Sequence, residues 1–174
     1  DITITLIDRF PYHCLKTEFY ALAAGTISDH HVRVTFPKHP QLKIRYGEVE
    51  KVELENQSVI LQDGENVSFD ELIIGLGCED KYHNVPGADE HTYSIQTIEK
   101  SRSTYQTLNN LPAGSVVAIV GGGLSGVELA SELSESRSDL KIKLFDRGNH
   151  ILSSFSEKLS TYVENWFDTH SVEI

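Results

Sequence analysis

The stretch Val116–Glu128, VVAIVGGGLSGVE, decides how this chain folds. Its first five residues are small or β-branched and apolar, which predicts a buried strand of a parallel sheet. Three glycines follow at G-x-G-x-x-G spacing. The next apolar residues recur at helical spacing and would share one helix face: Leu124, Val127, Ala130 and Leu133. The order of strand, glycine loop and helix is typical of a βαβ unit.

The three glycines have distinct tasks if the loop holds a dinucleotide. Gly121 allows a tight turn, Gly123 lets the backbone approach a pyrophosphate, and Gly126 lets the helix pack close to the strand. The helix N-terminus adds unpaired N–H groups and the positive end of a dipole. A second predicted strand, Lys141–Phe145, ends in Asp146, where a carboxylate can accept hydrogen bonds from a ribose. The stretch therefore predicts a dinucleotide site, with a purely structural glycine turn as the alternative.

Length and composition narrow the class of protein. The chain has 174 residues, 39% of them hydrophobic, which suits one ordinary domain or two small ones. A net charge of −11 argues against a nucleic-acid partner, because such proteins carry basic surfaces. The two cysteines, Cys14 and Cys78, form no C-x-x-C pair, which fits a reducing compartment such as the cytoplasm. The pair His30-His31 has no third ligand at metal spacing, so we predict a surface loop and no metal site.

The pattern of a strand followed by an acid occurs a second time, at the start of the chain. Asp1–Ile7 alternates apolar and polar residues and is followed by Asp8. In a doubly wound nucleotide fold this is the second strand, with Asp8 on a ribose, but an ordinary strand ending in a turn acid explains the pattern equally well. The chain has no initiator Met and starts and ends inside strand patterns, so we expect it to be a fragment.

Shorter patterns predict the remaining elements. The other predicted strands are Gln41–Glu55, Ser58–Leu61 and Val67–Phe69, which form an antiparallel meander, and the apolar run Glu71–Leu76. The other predicted helices are Thr17–Ala24 closed by Gly25, Ile95–Leu108, and a last helix opened by a Ser154–Glu157 capping box. The last helix carries an apolar stripe, which we expect to be buried: Leu159, Tyr162, Val163, Trp166 and Phe167.

Four separated motifs together resemble the FAD-dependent pyridine nucleotide oxidoreductases, and among them the type II NADH dehydrogenase-like proteins. The motifs are Leu6-Ile7-Asp8, the segment from Pro11-Tyr12-His13 to Leu22–Gly25, FDELIIGLG at Phe69–Gly77, and AIVGGGLSGVELASE at Ala118–Glu132. The resemblance implies hydride transfer from NADH to FAD, followed by electron transfer to an acceptor that is often a quinone. The flavin would then carry the redox chemistry, so no catalytic triad is required.

The resemblance also implies residues for each cofactor. It places Asp8 and Arg9 at the FAD adenosine, the backbone of Val49 near the adenine, and Gly77 near the FAD phosphates. The residues implied for NADH are the loop Gly121, Gly122, Gly123, Leu124, Ser125 and Gly126, followed by Asp146 and Arg147. Asp146 favours NADH because a carboxylate repels a 2′-phosphate, whereas Arg147 could bind that phosphate. Glu128 is expected to face the nicotinamide as the catalytic carboxylate, and a solvated acid in the first helical turn is the alternative.

The predicted fold class is α/β, with two Rossmann-like nucleotide-binding domains, both incomplete, and an antiparallel meander. We assign residues 1–111 to a partial FAD-binding domain and residues 112–174 to a partial NAD(H)-binding domain. By itself the chain is expected to bind FAD weakly or not at all, because its one G-x-G-x-x-G lies in the second domain. The resemblance further implies a quinone partner and peripheral contact with the cytoplasmic face of a membrane through segments outside this sequence, and it leaves a homodimer open.

Two other functions stay open at this level. One is a reductase for ferredoxin or another soluble carrier, and the other is a nucleotide-binding redox sensor without turnover. The sensor is kept because the sequence departs from the motifs at two positions: Leu76 replaces a threonine next to the FAD, and Thr17 replaces a proline.

Overall fold

The computed structural model describes residues 2–174, and packing divides them into two compact units. Unit 1 comprises the described residues up to Cys14 together with Arg33–Cys78. Unit 2 comprises Leu15–Val32 and Glu79–Ile174. The division of function between residues 1–111 and 112–174 stays a prediction.

Unit 1 is built from short strands. They are β1 (Ile4–Asp8), β2 (His13–Cys14), β3 (Arg33–Val34), β4 (Leu42–Tyr46), β5 (Val49–Glu53), β6 (Ser58–Leu61) and β7 (Asn66–Ser68). β1 runs parallel to β4, β2 runs antiparallel to β3, and β5, β6 and β7 form an antiparallel sheet in that order. The predicted meander is therefore confirmed, and its turn at Gly64 has the positive φ of 88° that favours glycine.

The prediction of one strand over Gln41–Glu55 is wrong, because the chain leaves one sheet and enters another at Gly47. The Gly47 N–H donates to the Asp8 carbonyl at the end of the β1–β4 ladder. A Cβ at Gly47 would lie 2.9 Å from Cδ1 of Leu61, so the absence of a side chain allows this change of direction. β4 thus pairs with β1, whereas β5 pairs with β6.

The strand predicted over Glu71–Leu76 is not formed. None of the strands among residues 2–174 pairs with this segment, and a strand exists only through such pairing. Its apolar side chains are consequently exposed, with Ile73 at 93% and Leu76 at 78%. The segment has the apolar composition of a strand, but composition alone does not show whether another strand pairs with it.

Unit 2 is a parallel sheet with helices packed on it. Its elements are a 3₁₀ turn (Lys16–Glu18), α1 (Phe19–Ala24), α2 (Ala88–His91), α3 (Ile98–Asn109), β8 (Val116–Val120), α4 (Leu124–Ser136), β9 (Lys141–Phe145), α5 (Glu157–Thr169) and β10 (Val172–Glu173). The strand order is β10-β9-β8, all parallel, as expected for consecutive βαβ units. The sheet and α4 share a core that includes Leu133, Leu144 and Phe167.

The short helix before Gly25 is confirmed. In α1, Phe19, Leu22 and Ala23 are buried as predicted, and Gly25 ends the helix with a φ of 83°. A Cβ at Gly25 would lie 2.3 Å from the ring of Tyr105, so glycine also permits the close approach of α3. α3 starts at Ile98 instead of Ile95 because the Thr97 hydroxyl accepts a hydrogen bond from the Lys100 N–H, 3.2 Å away.

The burial of β8 was overestimated from the sequence. β8 has the predicted bounds and runs parallel to β9, but Ile119 is its one fully buried residue, and Val120 is 83% exposed. Among residues 2–174, β8 is an edge strand with a neighbour on one side, so half of its surroundings are open. Leu124 is likewise half-exposed, although it was predicted to share the buried face of α4.

The last helix begins two residues later than predicted. Ser156, in extended conformation, precedes α5, so the capping box of Ser154 and Glu157 is wrong. The apolar stripe is buried only in part, since Phe167 is inaccessible whereas Tyr162 is 67% exposed. A serine, Ser160, takes a buried position on this helix because it bonds to the chain segment that crosses over it. None of the helices within residues 2–174 is long and apolar enough to cross a bilayer.

Candidate nucleotide-binding site

The glycine loop joins β8 to α4 in a shape that only glycine allows at two positions. Gly121 has a φ of 116°, and its N–H donates to the Phe145 carbonyl over 2.7 Å. A Cβ at Gly126 would lie only 1.9 Å from the carbonyl oxygen of Gly121. Helix α4 therefore starts in direct contact with the end of β8, which directs its N-terminus past the carboxyl end of the sheet.

Gly123 differs from Gly126 because the protein leaves space around it, and from Gly121 because its φ of −78° is one that any residue adopts. It stands at the N-cap of α4, and a Cβ there would meet no atom of residues 2–174 within 4 Å. The N–H groups of the first turn have no partner inside the helix, and glycine has no side chain to accept from them. Leu124 and Ser125 are exposed beside this opening. Free donors, a helix dipole and open space together fit an anionic pyrophosphate.

Asp146 follows β9 and reaches back to the loop. Its Oδ2 accepts from the Gly122 N–H and its Oδ1 from the Gly148 N–H, both over 2.7 Å. These hydrogen bonds, that of Gly148 before that of Gly122, lower the pKa of the Asp146 carboxyl. Each carboxylate oxygen keeps a further lone pair. Asp146 can therefore hold the loop and still accept from a ribose hydroxyl.

A groove of about 340 Å³ lies beside Asp146 at the carboxyl ends of β9 and β10. Lys143, His150 and Glu173 line it, and Lys143 Nζ lies 2.7 Å from Glu173 Oε2. Sequence reasoning missed these three residues. Glu173 ends β10 and His150 follows β9, which is a usable signal in a parallel sheet, whereas Lys143 lies in the middle of β9. Arg147 is exposed and is not part of the groove lining.

Glu128 lies in the second turn of α4 and is half-buried, so the alternative of a solvated first-turn acid is wrong. Burial, and then the negative charge of Glu18, raise the pKa of the Glu128 carboxyl. Tyr20 of α1 shares these surroundings: burial, and then the negative charges of Glu18, Glu132 and Glu128, raise the pKa of its phenol. In the folded protein, Glu128 is therefore protonated more readily than a glutamate in water.

The residues implied for FAD all belong to unit 1. Asp8 ends β1, and its Oδ1 accepts from the Phe10 N–H over 2.9 Å, the same turn that Asp146 makes with Gly148. The Arg9 guanidinium lies 5.3 Å from the Phe10 ring centre. Val49 begins β5 beside a bulge, and Gly77 is exposed with a φ of 81°. The structure shows Asp8 as a turn acid, and its role on a ribose stays a prediction.

The histidine pair lies on the surface. His30 and His31 are exposed, and His31 Nδ1 lies 2.8 Å from the Ser28 hydroxyl. Within residues 2–174, no group of three or more His, Cys, Asp or Glu side chains is arranged to hold a metal ion.

The sequence profile of the pyridine nucleotide-disulphide oxidoreductases matches residues 3–174. The chain belongs to this family. It is 68% identical over 174 residues to the NADH dehydrogenase-like protein YutJ of Bacillus subtilis, with 100% of this chain and 49% of that protein covered. It is 23% identical to a type II NADH:quinone oxidoreductase of Staphylococcus haemolyticus, with 98% of this chain and 48% of that protein covered. The chain thus spans about half the length of the curated relatives it matches.

Similarity to a solved structure confirms the predicted fold class. The structure of NDH2 from Plasmodium falciparum in complex with NADH matches with a TM-score of 0.79 and 21% identity, covering 98% of this chain and 42% of that one. The family match and the relatives named above confirm the resemblance to type II NADH dehydrogenase-like proteins. The α/β architecture with Rossmann-like parallel sheets is shared with that structure.

The lowered pKa of Asp146 predicts a dependence of stability on pH. In the unfolded chain the Asp146 carboxyl takes up a proton below about pH 3.9, whereas in the folded state it stays ionised to lower pH. The stability that the ionised carboxylate contributes is therefore complete above about pH 3.9 and is lost as pH falls through the folded-state pKa. We expect Asp146→Asn to lower the free energy of unfolding at pH 7, and its deficit from wild type to shrink between about pH 4 and pH 2.

Urea unfolding at several pH values measures this deficit. Asp168→Asn, which changes an exposed carboxylate on α5, is the matched control. A stability deficit of Asp146→Asn that stays constant from pH 7 to pH 2 would contradict a lowered pKa of Asp146 in the folded state.

Proposed function

We propose that the protein is a flavin-dependent NADH dehydrogenase, which takes a hydride from NADH to FAD and passes the electrons to a quinone. The observation that carries the proposal is the loop of unit 2, where Gly123 leaves open space in front of the free N–H groups of α4 and Asp146 stands at the end of β9. The family and the names of the relatives support the direction of electron flow.

In unit 2, the glycine loop binds the pyrophosphate of NADH through the first-turn N–H groups of α4. The residues proposed for this contact are Gly121, Gly122, Gly123, Leu124, Ser125 and Gly126. Asp146 accepts from the adenosine ribose, and the groove beside it takes the adenosine. Negative charge at Asp146 repels a 2′-phosphate, so we propose NADH over NADPH, while the exposed Arg147 is the residue that would soften this preference.

In unit 1, the residues fit the adenosine side of FAD. Asp8 repeats the turn geometry of Asp146 at the end of a parallel strand, which is where a ribose acid stands in such folds. Arg9 is adjacent, Val49 offers its backbone, and Gly77 has no side chain, so its backbone can approach the FAD phosphates closely. Bound FAD supplies the two-electron acceptor, and the protein supplies binding and orientation.

The acceptor and the cellular location are proposals drawn from relatives. The Staphylococcus haemolyticus relative is named as a quinone oxidoreductase, which supports a quinone as the partner of this protein. Peripheral contact with the cytoplasmic face of a membrane, and a homodimer, stay predictions.

The test is an NADH oxidation assay on the protein expressed from its complete reading frame and purified with FAD. Separate reactions contain a soluble quinone, ferricyanide, an iron–sulfur carrier protein, or no acceptor. Oxidation that depends on quinone supports the proposal. Preference for the iron–sulfur carrier points to a soluble-carrier reductase, and flavin-loaded protein that binds NADH but reduces nothing points to a sensor.

Glu128 provides a separate test. Replacing it is expected to raise stability, because its pKa is raised in the folded state, and to lower turnover, because it is proposed to face the nicotinamide. The folded state holds the Glu128 proton to higher pH than the unfolded chain, so the ionised carboxylate costs stability as pH rises above about 4.3. We expect Glu128→Gln to be more stable than wild type at pH 7 and equal to it near pH 3. Turnover of NADH is expected to fall by about a hundredfold, the scale of a misplaced reacting group, because Glu128 is proposed to face the nicotinamide and to position it.

Thermal unfolding and steady-state kinetics measure the two effects, with Glu135→Gln, an exposed acid on the same helix, as the control. Loss of stability at pH 7 together with normal turnover would show that Glu128 is neither destabilising nor functional.

A further inference from the structure

Gly122 is held by both of its backbone groups. Its N–H donates to Asp146, and its carbonyl accepts from the Leu152 N–H, each over 2.7 Å. It is buried, and a Cβ there would lie 2.8 Å from Cγ2 of Ile151 and 3.0 Å from Cβ of Asp146. The crossover Asp146–Leu152, which leads from β9 towards α5, therefore encloses the middle of the glycine loop.

Leu152 reaches this carbonyl from an unfavourable backbone conformation. It has a φ of 53° and is only 4% exposed, so a buried leucine occupies the left-handed region. A leucine adopts such a conformation only where the surroundings enforce it. The conformation turns the Leu152 N–H towards Gly122, so something on the other side of the crossover must hold it in place.

Ser160 of α5 holds the crossover in place. Its hydroxyl donates to the Ile151 carbonyl over 2.5 Å, and the residue is 2% exposed. The same hydroxyl lies 3.4 Å from Glu164 Oε1, which is also 3.4 Å from His150 Nδ1. A buried hydroxyl that bonds outside its own helix fixes the segment it contacts, because leaving the partner carbonyl unpaired is costly.

We propose that Ser160 is a positioning residue of the nucleotide site. Through Ile151 and Leu152 it fixes the carbonyl of Gly122, and thereby the direction of the peptide groups that lead into the free first turn of α4. Ser160 touches no nucleotide in this arrangement and acts only through the loop. The effect on NADH affinity rests on the proposed function, whereas the effect on the loop does not.

The test compares Ser160→Ala with wild type in the protein expressed from its complete reading frame. We expect amide hydrogen exchange to become about tenfold faster at the Leu152 and Gly122 N–H groups, while amides in β9 keep their rates. NADH affinity, from a titration of the same samples, is expected to weaken by about five- to tenfold. Thr161→Ala, an exposed neighbour on α5, is expected to change neither quantity.

Ser160→Cys keeps the volume of the side chain with a much weaker donor, and it replaces the alanine variant if that variant does not fold. Unchanged exchange at Leu152 and Gly122 in a folded variant overturns the inference, whatever the NADH affinity is. If exchange is faster in the variant but the wild-type protein does not bind NADH, Ser160 positions the loop as inferred. In that case the proposed function is overturned. Faster exchange throughout β9 as well overturns the inference, because Ser160 would then be a general packing residue.

Discussion

Gly126→Ala is expected to lower the free energy of unfolding by about 3 kcal/mol or more, at the upper end for an overpacked site. The added Cβ would lie 1.9 Å from the Gly121 carbonyl oxygen, a backbone atom that cannot rotate away. Helix α4 would have to move off the end of β8, and that movement would also disturb the core around Leu133. Urea unfolding monitored by circular dichroism measures the loss.

Gly123→Ala is the matched control, because it adds the same methyl group to the same loop. Open space surrounds this position and its φ of −78° suits alanine, so we expect a change within about 1 kcal/mol. Equal stability of the two alanine variants would contradict the close contact between α4 and β8.

Gly123→Val is expected to leave the protein folded and to weaken NADH binding by at least about thirtyfold, which corresponds to about 2 kcal/mol. The valine side chain would fill the space that the proposed pyrophosphate occupies in front of the α4 N-terminus. Calorimetric titration with NADH measures the affinity, and thermal unfolding verifies the fold.

Adenosine is the ligand control for this variant, because it lacks the pyrophosphate and is proposed to contact Asp146 and the groove beside it. Its affinity is expected to be the same in Gly123→Val and wild type. A variant that binds NADH normally shows that the dinucleotide lies elsewhere, and one that also loses adenosine shows a wider distortion of the loop.

The parts of the fold that depend on local sequence were predictable. Glycine spacing located the loop, and alternating or continuous apolar runs gave β8 and β9 with their observed bounds. Gly25 was recognised as a helix end because its positive φ is a local requirement. In each case the signal lies within a few residues of the element it describes.

The parts that depend on distant partners were not predictable. The apolar run at Ile73–Leu76 has strand composition, but pairing decides whether a strand forms. The break at Gly47 depends on Leu61 packing against it from another strand. In the candidate site, Asp146 was found from its spacing, whereas the role of Ser160 depends on a hydrogen bond to Ile151 that no periodicity encodes. A buried serine in a helix was therefore overlooked in favour of its apolar neighbours.

The exposure of β8 has a consequence for the behaviour of the protein in solution. Val116–Val120 is a run of five apolar residues without charge or proline, and one side of the strand is unpaired within residues 2–174. Such a segment is a template for aggregation, which soluble proteins ordinarily limit with lysine or proline at sheet edges. The apolar composition of β8, which leads into the glycine loop, is thus also the composition that favours intermolecular β-pairing at this edge.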